Sequence, residues 1–152
     1  MKELIEKLLL KESIEFNGSI AELKEKIEVS TEQKFRLEWI SENDFKILSK
    51  ISLGTFILNS NSKYFEGIKG FGKLKELKNG KTKIDLIAKL RIELYFIAII
   101  PLLILVGSFL NGEKIPLLSI FLIPFVILWF WVIYRFQEKM LFRKFRNFTM
   151  TE

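Results

Sequence analysis

Two charge-free apolar runs, Leu94–Leu110 and Ile115–Tyr134, dominate the last third of this chain and are separated only by Asn111-Gly112-Glu113-Lys114. As α-helices rising ~1.5 Å per residue they would reach about 25 and 30 Å, close to the ~30 Å hydrocarbon core of a bilayer. A small soluble domain could not cover two such helices on every side, so the sequence predicts a transmembrane helical hairpin over 93–134, with spans 94–110 and 115–134. Neither run contains Asp, Glu, Lys, Arg or His, which argues against an ion pathway, proton relay or voltage sensor built from this chain alone. Pro101 and Pro124 fall near the middle of their runs, where each removes a backbone hydrogen bond and is expected to kink its helix. Ala98, Pro101, Leu105 and Ser108 share one face, and with Ser119 of the second run they form a candidate helix-packing seam.

The flanking charges predict an orientation. Lys83, Lys89 and Arg91 precede the first run, and Arg135, Lys139, Arg143, Lys144 and Arg146 follow the second. By the positive-inside bias both termini are expected in the cytoplasm and the protein in the inner membrane as a two-pass chain. Tyr95 opens the first run, while Trp129, Trp131 and Tyr134 close the second. These aromatics and the five bases from Arg135 to Arg146 are the candidate membrane-interface residues. The segment Met1–Glu12 mixes acids with lysines and has no apolar run longer than three residues, so it lacks the design of a signal peptide. Heavy use of Lys, Ile, Asn and Phe resembles a low-GC bacterial coding bias.

Lys plus Arg number 24 against 18 Asp plus Glu, a balance that suits either nucleic acid or an anionic membrane. Its distribution favours the membrane: residues 1–93 carry 18 bases and 15 acids, whereas 135–148 carry five bases and one acid directly after an apolar run. No nucleic-acid partner is expected. If helical, this tail places Arg135, Lys139, Arg143 and Arg146 along one side and Leu141, Phe145 and Phe148 roughly opposite. Such a helix is expected to rest on anionic lipid of the cytoplasmic leaflet.

Histidine and cysteine are both absent, which removes imidazole bases, thiolate nucleophiles and the commonest zinc ligands together. No catalytic residues, metal or cofactor are expected. Gly67-Ile68-Lys69-Gly70-Phe71-Gly72 lacks the strand, turn and helix order of a phosphate-cradling loop. Its glycines are better explained by a sheet that bends or admits a neighbouring side chain.

The 152 residues leave room for one small domain before the apolar runs. Leu4, Ile5, Leu8 and Leu9 recur at helical spacing and predict a first helix over 2–11, followed by Ser13–Phe16 as a strand or a continuation of that helix. Ser19 and Glu22 have capping-box spacing at the head of a second helix that ends near Glu28. Phe35, Leu37 and Trp39 then alternate with charged residues as in a half-buried strand. Further strands are predicted within Phe45–Leu58, Tyr64–Leu77 and Ile84–Ile92. A two-residue turn at Asn79-Gly80 would set Leu74 opposite Asp85, so a bulge or a longer turn is expected there.

The expected fold is an α+β membrane protein. Residues 1–92 form a cytoplasmic domain of two short helices and a curved, mainly antiparallel sheet of four to five strands; a two-helix transmembrane hairpin (93–134) and a short basic amphipathic tail (135–152) follow. The expected function is that of a non-enzymatic, membrane-anchored interaction protein that assembles with itself or with a membrane-protein partner. The alternative is a ligand- or lipid-sensing domain coupled to a two-span membrane effector.

Overall fold

A computed structural model describes residues 9–30, 35–49, 68–89, 92–112 and 117–150. Strand β1 (Leu10–Phe16) leads to helix α1 (Ile20–Val29), then to strands β2 (Phe35–Trp39), β3 (Asp44–Ser49), β4 (Lys69–Glu76) and β5 (Thr82–Ala88), and finally to helices α2 (Ile92–Leu110) and α3 (Leu117–Met150). The strands form one antiparallel sheet in the order β1-β5-β4-β3-β2, so the first strand pairs with the last. The chain divides into two compact units, Met1–Lys89 with Gln137–Glu152, and Leu90–Phe136.

Helix α1 begins where its sequence says it should. The Ser19 hydroxyl accepts from the Glu22 backbone N–H at 3.3 Å, and the Glu22 carboxylate accepts from the Ser19 N–H at 3.0 Å. Two amides that lack helical partners are thereby satisfied. Leu23 and Ile27 then bury one side of the helix. Thr82, fully buried at the head of β5, donates its hydroxyl to the Gly18 carbonyl at 2.8 Å and ties the β1–α1 turn to the sheet.

The β4–β5 hairpin takes the longer turn. Leu74 faces Ile84 and Glu76 faces Thr82, which leaves Leu77 to Lys81 for the reversal. The Leu77 N–H donates to the Lys81 carbonyl at 2.8 Å, and the Gly80 N–H to the Leu77 carbonyl at 3.1 Å. Gly80 has φ +72°, a left-handed conformation that glycine adopts without a Cβ clash.

The sheet's inner face is a core of rings. Phe35, Phe45, Phe142 and Phe145 are buried with Ile14, Ile47, Leu74, Ile84 and Leu86. Phe145 lies 5.4 Å from both Phe35 and Phe45, centre to centre, and Phe148 lies 5.4 Å from Phe35. Gly70 and Gly72 stand where a side chain would intrude: a Cβ at Gly70 would meet the Phe142 ring, and one at Gly72 the Phe45 ring.

The expected hairpin fold is corrected at both ends. Among the described residues one helix, not two, precedes the β2–β5 meander. Leu10 and Lys11, expected in the first helix, instead open strand β1, whose seven residues pair with β5 from Leu10↔Ala88 to Phe16↔Thr82. Tertiary pairing outweighs the local helical spacing there. The rest of the predicted first helix, residues 2–8, lies outside the described residues, as do residues 50–58 and 64–67 of the strands predicted within Phe45–Leu58 and Tyr64–Leu77.

At the other end, the two-helix transmembrane hairpin is not found. Among the described residues one helix, Ile120–Met150, is long and apolar enough to cross a membrane, and the apolar helix Leu94–Leu110 is shorter. The second apolar run does not end its helix at Tyr134, because α3 continues unbroken for 34 residues. Charge interrupts the apolar run at Arg135, but no Gly or Pro between there and Met150 interrupts the helix. The predicted separate tail is therefore the second half of α3, and from Gln137 it belongs to the compact unit of the sheet.

Candidate docking surface

Alternation along the strands gives the sheet a second face of opposite chemistry. Register aligns Lys11, Ile87, Phe71, Lys46 and Glu38 in one row and Ser13, Asp85, Lys73 and Asp44 in the next. Glu15, Lys83 and Lys75 form a third. Side chains two apart share a face, so these rows lie opposite the buried set of Ile14, Leu74, Ile84 and Leu86.

On the part of this face formed by β1, β5 and β4, Lys11, Lys69, Lys73, Lys75, Lys83 and Lys89 stand against the acids Glu15 and Asp85. All the bases there are lysines. Asp85 is engaged on three sides: the Ser13 hydroxyl donates to it at 2.8 Å, and the Lys75 and Lys83 ammonium groups lie at 3.3 and 3.4 Å. Burial by itself would raise the Asp85 carboxyl, but these three partners outweigh it and hold the group below the usual carboxylate range. Asp85 therefore stays ionised well into the acid range and neutralises part of two lysines, leaving the patch cationic.

At the centre of the patch, Phe71 and Ile87 are cross-strand partners and half-buried. The Lys89 ammonium lies 4.3 Å from the Phe71 ring centroid, a cation–π distance. Beside them an open cavity of about 470 Å³ is lined by Lys11, Ser13, Lys73, Asp85 and Ile87, among others. It offers hydroxyl, carboxylate and ammonium groups at a shallow surface. Among the described residues no group of three His, Cys, Asp or Glu comes together that could hold a metal ion.

The candidates named from sequence fall in different places. Tyr95 and Trp129 are exposed on the apolar unit, and the Arg135 guanidinium lies 5.7 Å from the Trp131 ring centroid, with Tyr134 half-buried nearby in sequence. Ala98, Pro101, Leu105 and Ser108 are all half-buried, whereas Ile99, Leu102, Leu103, Ile104 and Val106 between them are exposed. The Ser119 side chain lies outside the described residues. Lys139 and Arg143 are exposed and Lys144 half-buried.

Arg146 departs from the membrane-interface set: it reaches Glu12 of β1 at 2.9 Å. Leu141 and Phe145, expected to face lipid, are buried against the sheet. The helical period of the tail was legible, but a protein surface takes the place expected for the leaflet. The lysine face of the sheet was not singled out from sequence. Its signal was present in the alternation of Lys69, Phe71, Lys73 and Lys75 and of Lys83, Asp85, Ile87 and Lys89, which places these residues on one face once β4 and β5 pair. Comparison with protein-family models, with curated proteins and with solved structures finds no match to this chain.

Proposed function

We propose that this protein is a non-enzymatic, membrane-anchored docking module of the inner membrane, held in the bilayer by its one long apolar helix and presenting its sheet unit on the cytoplasmic side. The observation that carries this reading is the contrast between the two units. In Leu90–Phe136 large side chains such as Phe96, Leu103, Phe109, Phe121, Phe125 and Trp129 are exposed, while the other unit buries its own aromatic core. A surface of that size left in water would drive aggregation; in hydrocarbon it is the favoured state. One helix of sufficient length and apolarity supports the same reading.

The orientation rests on charge. Lys83, Lys89 and Arg91 precede the first apolar run, and Arg135, Lys139, Arg143 and Lys144 follow the second, the bias of cytoplasmic flanks. The chain leaves the sheet unit at Lys89 and rejoins it at Gln137. A sensor holding its ligand inside a curved sheet has less support, because Phe35, Phe45, Phe142 and Phe145 fill the inner face.

The test uses the full chain in its own cells. Because it has no cysteine, Lys139→Cys supplies a single thiol. Membranes washed with alkaline carbonate should retain the protein, and an impermeant thiol reagent should label it only after the cells are opened. Release by carbonate would overturn the anchoring, and labelling of intact cells would overturn the orientation.

A further inference from the structure

We infer that the outer face of the sheet is a binding surface for anionic lipid, with Lys11, Lys73 and Lys89 as its charges and Phe71 as its apolar contact. This rests on the proposed anchoring and identifies the partner that the docking face takes. Three observations support a lipid surface over an acidic protein.

The first is the type of base. On the β1, β5 and β4 part of this face every base is lysine. Lysine is a compact, hydrated point charge on a flexible stem, suited to a fluid layer of headgroups; recognition of a fixed carboxylate favours the planar fork of arginine. The second is shape. Lys11 and Lys73 are exposed, and Phe71 and Ile87 stand half-buried beside them in adjacent strands, giving a broad face whose apolar centre is flanked by charge. Lysine stems lying along that centre would let ammonium groups reach phosphates while the ring meets the interfacial region. The third is continuity. Lys89, the residue packed on Phe71, is followed after only two residues by Ile92, the start of an apolar helix. The lysine face is thus continuous in sequence with the apolar unit.

The same face carries Asp85, already committed to Ser13, Lys75 and Lys83. Those two lysines are thereby partly neutralised, so the lipid-binding charge falls on Lys11, Lys73 and Lys89.

The experiment places a single fluorophore on each of two full-length variants, Glu15→Cys on the outer face and Glu25→Cys on the exposed side of α1, reconstituted in two kinds of vesicle. One is pure phosphatidylcholine; the other contains roughly one-third phosphatidylglycerol. Quenching by aqueous acrylamide should fall about two-fold at position 15 in the anionic vesicles only, and return in high salt as the charges are screened. Position 25 should be quenched equally in both. Adding Lys11→Glu, Lys73→Glu and Lys89→Glu to the Glu15→Cys chain should abolish the protection.

Equal quenching at position 15 in the two vesicle types would overturn the lipid assignment and leave an acidic protein as the occupant. Protection that rises with protein density in phosphatidylcholine would overturn it in favour of a second copy, and protection that survives the three reversals would overturn the role of the lysines. Flotation with the vesicles is scored separately. A chain that floats with neither kind overturns the anchoring and this proposal together, whereas a floating chain with equal quenching overturns the lipid face alone.

Discussion

The two halves of α3 are built from the same kinds of residue and meet opposite surroundings. In the first half Phe121, Phe125, Leu128 and Trp129 are exposed; in the second, Leu141, Phe142 and Phe145 are buried. Both halves are rich in phenylalanine, so apolar content alone does not distinguish them. The difference is periodic. After Arg135, charged or polar residues return at Lys139, Arg143 and Asn147, all exposed, and they leave a single apolar stripe through Leu141, Phe142 and Phe145 that one protein surface can cover. Before it, apolar residues occupy every side, and no single stripe marks one face for a partner.

Ring truncation gives the largest test of this contrast. Phe145→Ala removes a ring that touches both Phe35 and Phe45, and should destabilise the sheet unit by about 3–5 kcal/mol. Phe125→Ala, in the exposed half, should leave the sheet unit within about 0.5 kcal/mol of the parent chain. Denaturant unfolding of the two full-length variants in the same detergent, followed through the near-ultraviolet signal of the aromatic core, compares them directly. Equal effects would mean that the halves are not distinct environments.

A smaller effect sharpens the contrast from the sheet's side. Gly70→Ala would drive a Cβ into the Phe142 ring and against Ile47, and overpacking of this kind costs about 1–3 kcal/mol. Pairing Gly70→Ala with Phe142→Leu should recover part of that loss, since the smaller side chain vacates the space. No recovery in the double variant would mean that the helix does not seat against that strand.

The smallest expected effect concerns the ion pair that joins the helix to β1. Arg146 and Glu12 lie 2.9 Å apart, with side chains 43% and 26% exposed. Glu12→Gln should cost no more than about 1 kcal/mol at low ionic strength and less in high salt. A loss as large as that of Phe145→Ala would show that charge, not ring packing, holds the second half in place.

Much of the sheet was legible in the sequence because its signals are local. Ser19 and Glu22 announce the helix start, Phe35-Arg36-Leu37-Glu38-Trp39 alternates with period two, and the clash of Leu74 with Asp85 exposes the longer turn at Gly80. The failures lie where distant segments decide. Nothing local in Leu10–Phe16 says that β5, more than sixty residues later, will claim it as a strand. Likewise, the stripe of Leu141 and Phe145 specifies an apolar partner without saying whether that partner is lipid or Phe35 and Phe45. The lysine face was hidden for the same reason: its members sit on three strands, and only pairing assembles them.

The position of Phe142 and Phe145 in the sheet core also sets an order of events during synthesis. All five strands have been made by Ala88, yet the rings that finish their core arrive only after the whole of Leu90–Phe136 has been translated. An emerging chain must therefore carry Phe35 and Phe45 incompletely covered while its most aggregation-prone stretch is still being produced. The sheet unit closes last, and a ribosome stalled within the apolar segment would release a product that lacks part of its own core.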